Sequence, residues 1–141
     1  TTLSIDDTKI IIDTLKIKFP NIQGPKSDDI CYATQNRQDA VKQISGLCDL
    51  IIIVGSNNSS NSNRLKELAL REGVESYMID HEDLLQSSWL INKKNIGISA
   101  GASAPEISVK NIVNKIESLT KASITELPGI EESIIFKLPK I

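Results

Sequence analysis

The stretch Leu50-Ile51-Ile52-Ile53-Val54-Gly55-Ser56-Asn57-Asn58-Ser59-Ser60-Asn61-Ser62-Asn63 breaks at Gly55 into five aliphatic residues and eight small polar ones. A short, continuous, largely β-branched run bounded by turn residues is the pattern of a strand covered on both faces. Working outward, Leu65, Leu68 and Ala69 recur at helical spacing, which predicts a helix over 63–72 with Gly73 at its C-terminal cap. A second strand is expected at 74–79 and a short helix over 81–91 around Leu84, Leu85 and Trp89. A third strand follows at 96–100, then a helix over 103–119 carrying Ile107, Val109, Ile112, Val113 and Ile116. On the N-terminal side, Ala40, Val41, Ile44 and Leu47 predict a helix over 34–47. Repeated β-then-α units give an α/β fold, a parallel sheet with helices on both faces.

The two ends read differently. Ser4 begins a helix with Asp7 three residues on, Ile10, Ile11, Thr14, Leu15 and Lys18 continue it, and Pro20 ends it. Gln23-Gly24-Pro25-Lys26-Ser27-Asp28-Asp29 is a connection. Three parts follow: residues 1–26 as the end of a preceding α/β unit, 27–119 as one complete unit, and 120–141 as a tail packing back on the rest. Ile130 to Leu138 is a further strand by its pattern, not necessarily of the same sheet.

Composition excludes several classes. The 141 residues carry a net charge of −2 with scattered Lys and Arg, which leaves no basic footprint for nucleic acid or an anionic membrane. The few aromatic residues (Phe19, Phe136, Tyr32, Tyr77 and Trp89) do not interleave with basic ones, so base stacking is not expected. No apolar run approaches the ~20 residues that span a bilayer. Two cysteines, Cys31 and Cys48, without a secretory leader point to a reducing, cytoplasmic setting. With a single His they are too few for a zinc site.

Chemistry is expected where strands of a parallel sheet run into helix N-termini, whose free N–H groups and positive dipole end attract anions. Three such corners stand out. In Gly55-Ser56-Asn57-Asn58-Ser59-Ser60-Asn61-Ser62-Asn63, hydroxyls and amides can donate to an oxyanion; the same residue types also favour caps and turns. In Gly101-Ala102-Ser103-Ala104-Pro105-Glu106, Ser103 and Glu106 match a capping box. In the third, Cys31 precedes a helix, a position that lowers a thiol's pKa and suits a nucleophile or metal ligand, although a lone Cys is also a common small buried hydrophobe. Cys48 has the stronger structural reading, and His81 reads as a helix-start residue. There is no Gly-x-Gly-x-x-Gly, Walker loop or Gly-x-Ser-x-Gly elbow. The residues by themselves describe an α/β domain that binds an anion with Ser and Asn.

The same corners carry a family likeness. Cys31-Tyr32-Ala33-Thr34-Gln35-Asn36-Arg37-Gln38, the block from Val54 through Asn63 to Leu65, and Ala100-Gly101-Ala102-Ser103-Ala104-Pro105-Glu106 resemble the LytB/IspH reductases in order and spacing. Thr1-Thr2-Leu3-Ser4 resembles a further segment of that family, and the likeness runs to about Leu138. The resemblance implies a trefoil of three α/β units, of which this chain holds one and a fraction, around a central 4Fe-4S cluster held by one cysteine per unit. On that basis Cys31 matches a cluster ligand, Ser59, Ser60, Asn61 and Ser103 match residues gripping a substrate diphosphate, and Thr1 matches a threonine near the substrate's hydroxyl end. The implied reaction is the two-electron reductive dehydroxylation of 4-hydroxy-3-methylbut-2-enyl diphosphate, with a ferredoxin- or flavodoxin-type electron donor.

The family's other two cysteines, its substrate-binding histidines and its glutamate acid lie upstream of Thr1. The resemblance therefore implies a cluster that needs two cysteines absent here, no catalytic residue within this chain, and a missing N-terminal half as partner; alone, the chain is expected to be inactive. The other reading is a truncated, inactive α/β domain that only binds diphosphate or pairs with a separate N-terminal half.

Overall fold

The computed structural model describes residues 3–24 and 30–129. Three strands, β1 (Leu50–Val54), β2 (Glu75–Ile79) and β3 (Ile96–Ala100), form a parallel sheet in the order β2-β1-β3. Ile52 stands opposite Tyr77 on one side and Ile98 on the other. As the central strand, β1 is buried at every residue, as its unbroken aliphatic run requires.

Alternation along β1 divides the core in two. Ile51 and Ile53 meet Val41 and Ile44 of α2 (Tyr32–Ser45) and Leu65, Leu68 and Ala69 of α3 (Ser60–Arg71). Leu50, Ile52 and Val54 meet Ile112 and Ile116 of α4 (Glu106–Thr120), together with Leu85 and Leu90. The expected parallel sheet with helices on both faces is present.

Helix α2 lies two residues earlier than the expected 34–47, β2 starts one residue later than expected, and three further departures from the sequence reading each have a local reason. The 81–91 segment is not one helix but two 3-10 turns, Glu82–Leu84 and Ser87–Leu90. Leu85 and Leu90 both enter the core, and residues five apart on a helix of 3.6 residues per turn would not share a face. The backbone is extended at Leu85 and Gln86, which brings both inward. Helix α3 starts at Ser60, earlier than periodicity indicated, because Ser59 is its cap. Helix α4 starts at Glu106, and no capping box forms: Pro105 holds the N-cap position without a side-chain cap bond, while Ala104 N–H donates to Gly101 O at 3.0 Å in a preceding turn. At the end of α3, Glu72 is the cap residue, and Gly73 takes the left-handed turn after it, at φ 81°.

Helix α1 (Ile5–Lys18) starts as expected, with Ser4 Oγ accepting the Asp7 N–H at 3.2 Å, and it buries none of its residues. Polar contacts hold it. The buried Gln38 of α2 accepts the Ile5 N–H and donates to Leu3 O, both at 3.1 Å. Asp6 pairs with Lys42 at 2.8 Å and Asp7 with Arg71 at 3.1 Å. Most of the connection at 23–29, and the strand expected from Ile130 to Leu138, lie outside the described residues, and 121–129 carry no regular structure. Among the described residues no helix is long and apolar enough to cross a membrane.

Candidate functional site

From β1 the chain passes through α3 on one face of the sheet to reach β2; from β3 it passes to α4 on the other face. The carboxyl ends of β1 and β3 are therefore neighbours whose connections diverge, the place where α/β sheets open a ligand crevice. Both connections begin with glycine. Gly55 N–H donates to Ile79 O and Gly101 N–H to Val54 O, both at 2.9 Å, which continues the sheet's bonding one residue past each strand.

The two loops close on one side chain. Ser62, in the first turn of α3, is fully buried, and a Cβ on either Gly55 or Gly101 would fall on its Oγ. Only glycine at both positions lets the backbones approach so closely. Sequence reasoning did not single out Ser62. The two glycines, each directly after a strand, were the available signal, but nothing in the sequence says that both face the same hydroxyl.

Around Ser62 stand the expected anion-binding residues. Ser59 Oγ caps α3, accepting the Ser62 N–H at 3.3 Å and the Ser62 hydroxyl at 3.0 Å. Asn63 Nδ2 donates to Asn57 O at 2.7 Å and to Ser59 O at 3.0 Å, which fixes the loop in front of the helix. Ser60 is exposed. Asn61 differs from the rest: its Oδ1 and Nδ2 are both buried, and neither has a hydrogen-bond partner. Leaving a buried amide unpaired costs about 1–3 kcal/mol, which sets Asn61 apart from the other residues of the turn. Ser103 lies exposed on the Gly101 loop, its hydroxyl not engaged in a cap. The structure thus brings the Ser103 loop and the Ser59–Asn61 turn together. Thr1 lies outside the described residues, but Leu3 lines a pocket of about 320 Å³ with Ser60, Asn63, Arg64 and Glu67.

Cys31 sits at the N-cap of α2. The tight turn between α2 and β1 sends the helix back along the strand, so Cys31 stands at the sheet end where β1 and β3 terminate. Asn36 of α2 and Ala100 at the end of β3 line one groove, in keeping with that arrangement. The thiol is exposed, and the N–H groups of Ala33 and then Thr34 hold its pKa below the ordinary value. Cys48 is half-buried elsewhere, beside Gly97, and burial, with a smaller contribution from Asp49, pushes its thiol up. His81 is exposed and caps a 3-10 turn by accepting the Asp83 N–H at 3.2 Å, as its helix-start reading anticipated.

Cys31 has the exposure and thiolate character of a metal ligand, but it stands alone. Among the described residues no group of three or more His, Cys, Asp and Glu side chains gathers to hold a metal. The described residues do not amount to an iron–sulfur site, and no chemical step through a cluster is assigned to them.

Comparisons with known proteins identify the family of the chain. The family model described as LytB protein matches residues 1–117. A 4-hydroxy-3-methylbut-2-enyl diphosphate reductase of Dechloromonas aromatica is 59% identical over 140 residues, 99% of this chain and 46% of the relative. The reductase of the same name from Chromobacterium violaceum is 55% identical over 139 residues, 99% of this chain and 45% of the relative. The chain thus spans somewhat under half the length of these relatives. Among solved structures, the E-1-hydroxy-2-methyl-but-2-enyl-4-diphosphate reductase from Plasmodium falciparum aligns with a TM-score of 0.79 at 39% identity, over 83% of this chain and 37% of that one. A second solved structure, an (E)-4-hydroxy-3-methyl-but-2-enyl diphosphate reductase, aligns with a TM-score of 0.62 at 30% identity, over 84% of this chain and 41% of that one. With most of its length inside the family model and its sheet shared with two solved reductases, this chain belongs to the LytB family.

Proposed function

We propose that this chain is the diphosphate-gripping part of a longer 4-hydroxy-3-methylbut-2-enyl diphosphate reductase, an enzyme of isoprenoid precursor synthesis by the non-mevalonate route. The reaction removes the substrate's hydroxyl by a two-electron reduction and yields isopentenyl and dimethylallyl diphosphates. In this reading residues 1–26 end a preceding unit, 27–119 form the unit with the diphosphate loops, and 120–141 pack back on the remainder. Ser59, Ser60, Asn61 and Ser103 hold the diphosphate, and Thr1 stands near the hydroxyl end. Neutral donors at a helix N-terminus suit a ligand that brings its own charge. Cys31 supplies one of three thiolates to a 4Fe-4S cluster; the other two, and the proton donor, come from sequence outside this chain. A ferredoxin- or flavodoxin-type donor delivers the electrons.

The observation that carries this reading is the Asn61 amide, buried without a partner in the turn where the Gly55 and Gly101 loops converge. The test is anaerobic iron–sulfur reconstitution of the chain, alone and mixed with the N-terminal part of a related reductase, followed by visible absorbance and reductase activity. Cluster and activity are expected only in the mixture and are lost with Cys31→Ser. Absence of both from the mixture overturns the reductase reading. Diphosphate binding that persists without a cluster, and weakens with Ser59→Ala, would then favour a binding-only domain.

A further inference from the structure

We infer that Ser62, a residue with no access to ligand, is a positioning residue that turns the Ser59 hydroxyl into an obligate donor to the bound anion. The inference rests on the diphosphate reading of the site. A serine oxygen has two lone pairs and one proton. Ser59 Oγ lies 3.3 Å from the Ser62 nitrogen, whose N–H it accepts, and 3.0 Å from Ser62 Oγ; when the Ser62 hydroxyl donates across that contact, both acceptor positions of Ser59 are engaged from within α3. With the Ser62 proton directed to Ser59, the Ser59 proton is left to point out of the helix. A hydroxyl that accepts two hydrogen bonds is polarised into a stronger donor.

Ser62 is held in this role from both sides. It is fully buried, and the glycines that open the two loops leave room for its Oγ and nothing larger. Its hydroxyl cannot swing to solvent, and Ser59 Oγ is the hydrogen-bond partner the structure gives it, so its proton is assigned to Ser59. A lone capping serine could rotate and offer a lone pair to a phosphate oxygen, which would repel it; the Ser62 contact removes that orientation. Because Gly55 and Gly101 both rest on Ser62, the same side chain sets the Ser59 donor relative to the Ser103 loop.

The test is a double-mutant cycle on this chain with inorganic diphosphate as the probe, read by isothermal titration calorimetry, with circular dichroism to verify folding. Ser59→Ala is expected to weaken binding about tenfold and Ser62→Ala severalfold, magnitudes typical of one charge-assisted hydrogen bond and of its loss of polarisation. The combined variant is expected to bind no more weakly than Ser59→Ala alone, because Ser62 acts through Ser59. A role in packing alone predicts instead that Ser62→Ala costs the same factor in both backgrounds, and additivity of that kind overturns the inference. So does a Ser62→Ala chain that binds like the parent. Either result, with Ser59→Ala still weakening binding, leaves the diphosphate reading intact. Binding that is unaffected by Ser59→Ala, or absent throughout, removes that reading and this inference together.

Discussion

At the scale of single residues, the site's properties come from helix ends rather than from unusual side chains. Cys31 and Cys48 are chemically identical and seventeen positions apart, yet their environments push them in opposite directions. The N–H groups of Ala33 and Thr34 favour the thiolate of the exposed Cys31, while burial, aided by Asp49, favours the neutral thiol of Cys48. Since the thiolate is the nucleophile, iodoacetamide should label Cys31 first at neutral pH, and its rate should reach a plateau at a lower pH than that of Cys48. The sign follows from folding: the folded state favours deprotonation of Cys31, so unfolding in denaturant should move that plateau up toward an ordinary thiol. Labelling followed by peptide mass spectrometry across a pH series checks this. Faster labelling of Cys48, or no movement of the Cys31 plateau on unfolding, would mean that the helix end does not activate the thiol.

At the scale of elements, the regular pieces were legible in the sequence and their beginnings were not. The β1 strand was readable because five consecutive aliphatic residues have few other uses, and α3 because Leu65, Leu68 and Ala69 repeat at helical spacing. Starts depend on which polar side chain wins the cap, and Ser and Asn crowd every candidate position. Ser59 won at α3, so a residue proposed for the diphosphate also caps its helix; Ser103 lost at α4, where the alternative explanation for that serine falls away. The 3-10 turns were missed because apolar spacing alone does not distinguish a helix from two turns that each send one leucine inward. The contact between α1 and α2 was also invisible, since besides the Asp6–Lys42 pair it rests on Gln38, a polar residue without a periodic signature. Its side chain satisfies the Ile5 N–H and the Leu3 carbonyl together. Gln38→Ala is expected to lower stability by about 2 kcal/mol, the order expected for two backbone groups losing their partner. Because α1 buries none of its own residues, the loss should be local. Native-state hydrogen exchange should show the Ile5 amide losing protection while those of Ile51 to Val54 keep theirs; an equal loss across β1 would show that α1 and the sheet open as one unit.

At the scale of the whole molecule, α1 presents a face that this chain leaves uncovered. Ile10 and Ile17 share one side of the helix and Ile11 and Leu15 another, and all four are exposed, Ile17 at 83%. A helix apolar on more than one side belongs in an interior, and a contiguous exposed patch of this kind marks an interaction surface. Phe19 and Ile22 extend it past the helix end. The relatives are about twice as long as this chain, so the proposed remainder of the enzyme is the natural cover, and without it a second copy is the nearest apolar partner. The chain alone is therefore expected to self-associate, with sedimentation velocity showing species beyond the monomer that grow with concentration. Ile11→Glu combined with Leu15→Glu should shift the distribution toward monomer with little effect on the fold, because neither side chain lies in the core. Adding the N-terminal part of a related reductase should also dissolve the self-association, by occupying the same face, and should fail to bind the Ile11→Glu, Leu15→Glu variant. A chain that stays monomeric at every concentration would show that the α1 face drives no association, and the proposal that the rest of the enzyme docks there would fall with it.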